Sequence, residues 1–254
     1  LLELVRELNK LPGIQDLSMS SNAHLLADQA GALADAGISR INISLDSLDP
    51  GVFRQITRNG ELQPVLQGIN AALEAGMHPV KINMVVMKGL NDQEIEPMLD
   101  YALERGADLR YIETMPIGEA GIQGANHYFP ADQILGRLKQ HLGAELIPAK
   151  GGKGAGPARY YQVGAGPVRV GVISALSRHF CDDCNRVRLT ARGDLVLCLG
   201  QEDRASLRDP VRDGATDDEI KQLILQAIAR KPRSHEFNND TARVSLRHMS
   251  SLGG

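Results

Sequence analysis

The regular succession of amphipathic helix, glycine stop and short strand over the first two-thirds of the chain limits it to few folds. A helix to about residue 10 ends at Pro12-Gly13 before a strand over 14–21, and a helix near 28–36 stops at Gly37 before a strand over 40–47. Leu62, Val65, Leu66, Ile69 and Leu73 form the apolar stripe of the next helix, which Gly76 ends before a strand over 80–87. Asn91-x-x-Glu94 predicts a capping box that opens a helix through Ile95, Met98, Leu99, Ala102 and Leu103. Gly106 closes it before a strand over 109–115, and Pro130 opens one more helix through Ile134, Leu135 and Leu138. This repetition implies an α/β fold with a parallel sheet, open or rolled into a barrel.

The strands carry a second signal. Parallel strands covered by helices usually read as continuous apolar runs; these alternate. Ser18, Ser20 and Asn22 oppose Leu17 and Met19; Asn42, Ser44 and Asp46 oppose Ile41, Ile43 and Leu45; Lys81 and Asn83 oppose Val80, Ile82 and Met84. In the fourth strand the expected polar set is Tyr111, Glu113 and Met115, against Ile112 and Thr114. Apolar faces then pack under helices, and polar faces converge on a surface that is wet or filled by a polar ligand. A buried Lys81 needs a partner there, and Glu113 and Asp46 are the candidates.

All three cysteines fall in one short window, Cys181-x-x-Cys184 and, after thirteen residues, Cys198. A C-x-x-C turn and a returning strand can bring three thiols to one metal centre. The spacing alone favours structural zinc with His179 as fourth ligand, and leaves open an iron–sulfur cluster with one iron free of protein ligands. Between the cysteines, Arg186 and Arg188 alternate with Val187 and Leu189, so on a strand both guanidiniums leave one face. The same pair read as the solvated side of a hairpin is an equally plain alternative.

With 254 residues and a net charge of −3, the chain has length for a large core and no field for a nucleic-acid backbone, so the arginine pair points to local anion binding. No apolar run spans a membrane and no signal peptide is present, and the odd cysteine count fits a reducing compartment. Glycines and Pro157 between 150 and 166 mark a boundary. The division expected is 1–145, a βα barrel part, and 146–254, a C-terminal region of short strands and helices. In the latter, Thr216-x-x-Glu219 starts a last helix ended by Lys231-Pro232. Leu1, Leu4, Val5 and Leu8 are already spaced as a helix face, so the chain is expected to begin inside a fold.

INISLDSLDP, PVKINMVVMKGLND, YIETMPIG, FCDDCNRVRLTARGDLVLCL and the terminal MSSLGG together resemble the GTP 3′,8-cyclases of molybdenum cofactor biosynthesis, a family of radical S-adenosylmethionine (SAM) enzymes. The resemblance runs over essentially the whole chain and implies an incomplete TIM-type (βα) barrel. It reverses the zinc preference: Cys181, Cys184 and Cys198 become ligands of an auxiliary [4Fe-4S] cluster whose open iron faces guanine. It implies GTP contacts from Ser20, Lys81, Arg186 and Arg188, SAM contacts from Ser44 and Met115, and an active-site tail at Gly253-Gly254. Ser20 stands where the family has Thr in a TTNG motif, and Ala23 replaces its glycine. The implied reaction takes the ribose C3′ hydrogen of GTP with a 5′-deoxyadenosyl radical and joins C3′ to C8, giving 3′,8-cyclo-7,8-dihydro-GTP.

The implied partners are an electron donor and cyclic pyranopterin monophosphate synthase, which takes the product; a homodimer and a bacterial cytoplasmic setting also fit. The family's C-x-x-x-C-x-x-C loop, which holds a second [4Fe-4S] cluster for SAM, is not among the residues of this chain, nor is its GGEP stretch. The expectation is therefore that N-terminal units are missing and that this polypeptide alone does not perform the radical reaction. A zinc-stabilised binding domain and another radical SAM enzyme are the alternatives.

Overall fold

Apolar residues at alternate positions build a sheet whose hydrophobic side is sealed by helices. The computed structural model describes residues 1–115, 125–150, 156–164, 166–178, 180–182 and 184–235, in two compact units, 1–113 with 128–174, and 114–127 with 175–254. Gly253, Gly254 and His179 lie outside the described residues.

The first unit holds strands β1 (Ser18–Ser21), β2 (Arg40–Ser44), β3 (Val80–Val86), β4 (Asp108–Glu113), β5 (Ile147–Ala149), β6 (Arg159–Gln162) and β7 (Arg169–Ile173). They form one sheet in the order β1-β2-β3-β4-β7-β6-β5. Strands β1 to β4 and β7 are parallel; beyond them β6 pairs antiparallel with β7, and β5 antiparallel with β6. Residues 147–173, grouped by sequence with the C-terminal region, thus pair into the sheet of the first unit. The helices are α1 (Leu2–Asn9), α2 (Ala30–Ala36), α3 (Pro50–Thr57), α4 (Leu62–Glu74), α5 (Ile95–Arg105) and α6 (Ala131–Leu142). Gly37 and Gly106 end α2 and α5 in the left-handed conformation the sequence predicts. The turn-like Asp49-Pro50-Gly51 conceals α3: Pro50 is its first residue and the Asp49 carboxylate accepts from Val52 N at 2.8 Å.

Ile41, Ile43, Ile82, Met84, Leu109 and Tyr111 are wholly buried on the helix side of the sheet, in one core with Leu33, Ile69, Met98, Leu99, Ile134 and Leu138. The pairing Ser20↔Asn42, Asn42↔Lys81, Ser44↔Asn83 confirms the polar register of β1, β2 and β3. The register expected for the fourth strand is corrected. Lys81 pairs with Asp108 and Asn83 with Arg110, so Asp108 and Arg110 join the polar face. Tyr111 and Glu113 turn to the helices, where their polarity is used at helix ends. The Tyr111 hydroxyl donates to Ile95 O at 2.6 Å, and Glu113 accepts from Ala131 N at 2.8 Å. Met115 lies beyond the end of β4 and belongs to no strand.

The predicted capping box at Asn91 and Glu94 is also corrected. Asn91 is wholly buried, accepts from Met87 N and donates to Asp46 O and Val85 O. The Glu94 carboxylate accepts from Ser47 Oγ at 2.5 Å, Leu48 N at 2.5 Å and Asp49 N at 3.2 Å. Both side chains clasp the chain leaving β2 instead of their own helix end, where Glu94 meets three donors against the one a capping box offers.

The second unit pairs β8 (Arg188–Leu189), β9 (Asp194–Val196) and β10 (Arg204–Ser206) in an antiparallel sheet. It also carries α7 (Arg208–Arg212) and α8 (Asp217–Ala229). Leu195, Leu197, Leu207 and Ala227 form its small core. Thr216 and Glu219 make the predicted capping box at the start of α8. Among the described residues no helix is long and apolar enough to cross a membrane.

Candidate active site

On the polar face of the first unit the side chains are wired into a row. Arg110 donates to Asn42 Oδ1 at 2.6 Å and to Asn83 Oδ1 at 2.7 Å, and Asn42 Nδ2 donates to Ser20 Oγ at 3.2 Å. The Ser20 hydroxyl keeps its own proton to donate, and Ser44, exposed on the same face, pairs in register with Asn83. Arg40 grips Asp16 through two hydrogen bonds from Nε at 2.8 and 2.9 Å, and Arg169 bonds Asp108 at 2.7 Å.

Lys81 sits among these groups only 4% exposed. Neither expected partner reaches it: Glu113 is turned to α6, and Asp46 accepts from Val85 N at 2.7 Å. The ammonium instead lies 5.7 Å from the centre of the Tyr160 ring, a cation–π contact, and takes part in no hydrogen bond with the described residues. Burial first, then the charges of Arg110 and Arg40, lower its pKa to about 8, while Asp108 opposes them. A buried amine in a field of guanidiniums is a site for an anion. Arg110, which sequence reasoning missed, is held down in pKa chiefly by burial, with Tyr160 opposing the shift. Strand pairing with Asn83 was the signal for it, and no single-strand pattern contains that.

In the second unit Cys184 N donates to Cys181 O at 3.0 Å, closing the C-x-x-C turn, and all three cysteines are free and half-buried. Arg186 Nη2 and Lys231 Nζ approach Cys184 Sγ at 3.9 and 3.7 Å. Burial alone would raise the Cys184 pKa; the Arg186 backbone N–H and the Arg186 and Lys231 charges outweigh it, and the thiol is held below its usual value. Burial and the Arg186 charge lower Arg188, while the charges of Cys184 and Cys198 oppose that shift. The alternation expected around the arginines is present in burial, with the arginines on the inner side: Val187 and Leu189 are 38% and 61% exposed, whereas Arg186 and Arg188 are half-buried. Guanidiniums turned inward over apolar neighbours are not a solvated hairpin side. Arg186 also stacks over Phe180 at 5.3 Å. Met115 is half-buried in this unit.

Three thiols in cationic surroundings have the donor chemistry of an iron–sulfur ligand set. Among the described residues, no group of three cysteine, histidine or carboxylate side chains stands in metal-holding geometry.

Residues 1–102 match the Radical SAM superfamily and residues 107–237 match Molybdenum Cofactor Synthesis C, so the class is a radical SAM protein with a molybdenum-cofactor module. The chain is 50% identical over 250 residues to a GTP 3′,8-cyclase of Hydrogenovibrio crunogenus, covering 98% of this chain and 76% of the relative. It is 46% identical over 259 residues to one of Rhizobium meliloti, covering 99% and 72%, and 41% identical over 252 residues to one of Pelotomaculum thermopropionicum, covering 99% and 77%. The chain belongs to the GTP 3′,8-cyclase family.

Proposed function

We propose that this chain takes part in converting GTP to 3′,8-cyclo-7,8-dihydro-GTP, the first step of molybdenum cofactor biosynthesis, and that each of its two units carries cations suited to phosphate. Lys81 and Arg110 meet the triphosphate from the polar face of the first sheet, with Ser20 donating a hydroxyl hydrogen bond. Arg186 and Arg188 of the second unit supply planar forks suited to bidentate phosphate bonding. The observation that carries the reading is Lys81: a buried ammonium without a hydrogen-bond partner among the described residues, beside a guanidinium fixed by two asparagines.

Cys181, Cys184 and Cys198 are the residues that would hold the auxiliary [4Fe-4S] cluster, and Ser44 and Met115 those that would contact SAM. SAM and its own [4Fe-4S] cluster supply the one-electron chemistry when bound. The chain's own side chains bind and orient: Asn42 and Asn83 prevent Arg110 from swinging, and Lys81 lends a charge while the nearby Asp108 carboxylate is engaged by Arg169. The polar sheet face is the inner side of a partial radical SAM barrel, where a dry wall protects reactive species from water. Gly253 and Gly254, lacking side chains, suit a tail threaded into such a site. An electron donor supplies this reaction, and cyclic pyranopterin monophosphate synthase consumes its product.

The test is equilibrium binding of GTP and guanosine to the anaerobically reconstituted chain. Lys81→Ala and Arg186→Ala should each weaken GTP by about tenfold or more and leave guanosine nearly unchanged. Equal losses for both ligands would refute a phosphate role.

A further inference from the structure

Two residues of β6 and β7, Tyr160 and Gly171, press on the anion site from the side away from Ser20, Asn42 and Asn83. A Cβ built on Gly171 would stand 3.0 Å from Arg110 Cγ, 3.1 Å from Tyr160 Cε1 and 3.2 Å from Ala158 Cβ. The backbone of Gly171 is not left-handed, so conformation does not ask for glycine there. Space does: Gly171 pairs with Arg110 in the parallel register, and its bare α-carbon leaves the slot in which the arginine stem lies.

Tyr160 pairs with Gly171 from the other side and acts on both cations at once. Its ring and the Arg110 stem flank the same bare α-carbon of Gly171. Its ring faces the Lys81 ammonium at 5.7 Å and the Arg169 guanidinium at 5.1 Å. The charged groups acting on Lys81 are Arg40 from β2, Asp108 and Arg110 from β4, and Arg169 from β7. Three of these four repel it, and the one carboxylate is already bonded to Arg169. The aromatic face is therefore an attraction that the surrounding cations do not cancel.

We infer that Tyr160 and Gly171 are positioning residues of the triphosphate site, the first aiming Lys81 and Arg110 and the second making room for Arg110. The inference rests on the reading of Lys81 and Arg110 as GTP-binding cations.

The test is equilibrium binding of GTP and guanosine, from pH 6.5 to about 9, to the reconstituted chain and its variants. Gly171→Ala and Tyr160→Leu should each weaken GTP about three- to tenfold with guanosine unchanged, while Tyr160→Phe, which keeps the ring, recovers part of the loss. Deprotonation of Lys81 near pH 8 makes GTP affinity fall as pH rises. That fall should begin at lower pH in Tyr160→Leu and stay in place in Tyr160→Phe, a shift a merely structural tyrosine would not cause. Wild-type GTP affinity and pH profile in Tyr160→Leu overturn the inference even where Gly171→Ala fails to fold. Should Lys81→Ala and Arg110→Ala also bind GTP like wild type, the anion reading itself falls and takes the inference with it; if only those two weaken GTP, the inference alone is lost.

Discussion

Asp46 shows how one carboxylate can work against the fold that holds it. Burial raises its pKa to about 6, offset in part by the hydrogen bond from Val85 N. The unfolded chain releases this proton near pH 4, so raising the pH from 4 through 6 costs the folded state stability. The shift of roughly two units corresponds to about 3 kcal/mol, reduced to about 1–2 kcal/mol because the residue is only half-buried. Asp46→Asn keeps an oxygen for Val85 N and should raise stability by that amount at pH 7, with no gain at pH 4, measured by urea unfolding at both. At Ala23 the departure from the family's glycine is visible as strain: φ is +59°, a conformation costing about 1–2 kcal/mol for a residue with a Cβ. Its neighbour Gly68 shows the reverse, a glycine inside helix α4 where propensity prefers alanine by about 1 kcal/mol. A Cβ there would lie 2.5 Å from Ala23 O. Gly68→Ala should therefore destabilise by about 1–3 kcal/mol despite its better helix propensity, read from the midpoint of denaturation.

At the scale of elements, glycine stops, helix stripes and the register of β1, β2 and β3 were legible because each is set by local spacing. The register of β4 was not. Tyr111 and Glu113 looked inward because they are polar, yet a polar side chain can lie under helices when it satisfies a helix end. Arg110 was hidden by the same inversion, and with it the row that joins Ser20 to Asn83. Asn91 and Glu94 carried the letters of a capping box and perform a different task, tying the end of β3 and the start of α5 to the chain after β2. Glu94→Ala removes the acceptor of Leu48 N and one of two acceptors of the wholly buried Ser47 hydroxyl and of Asp49 N. It should cost about 2–4 kcal/mol, and Glu94→Gln less, in urea unfolding. The capping box at Thr216 was read correctly because the start of α8 is exposed, with no competing donors nearby.

At the scale of the whole molecule, the boundary between the two family models falls between residues 102 and 107, inside the first structural unit. Strands β4 to β7 match the second model yet complete the sheet begun by β1, β2 and β3. The polar row draws Ser20, Asn42 and Asn83, with Lys81 beside them, from one matched segment and Arg110 from the other, which also holds Tyr160, whose ring faces Lys81. The second unit contributes the inward arginines and the three thiols, and Cys184 is already biased toward thiolate by cations. Only the resemblance assigns the thiols an iron–sulfur cluster, since C-x-x-C spacing suits zinc and iron alike. The most direct measurement is the EPR spectrum of the reduced, anaerobically iron- and sulfide-loaded chain as GTP is added. A [4Fe-4S] signal that shifts with GTP and is absent in Cys198→Ser is the predicted result; a colourless zinc protein, or an iron signal indifferent to saturating GTP, would contradict the account.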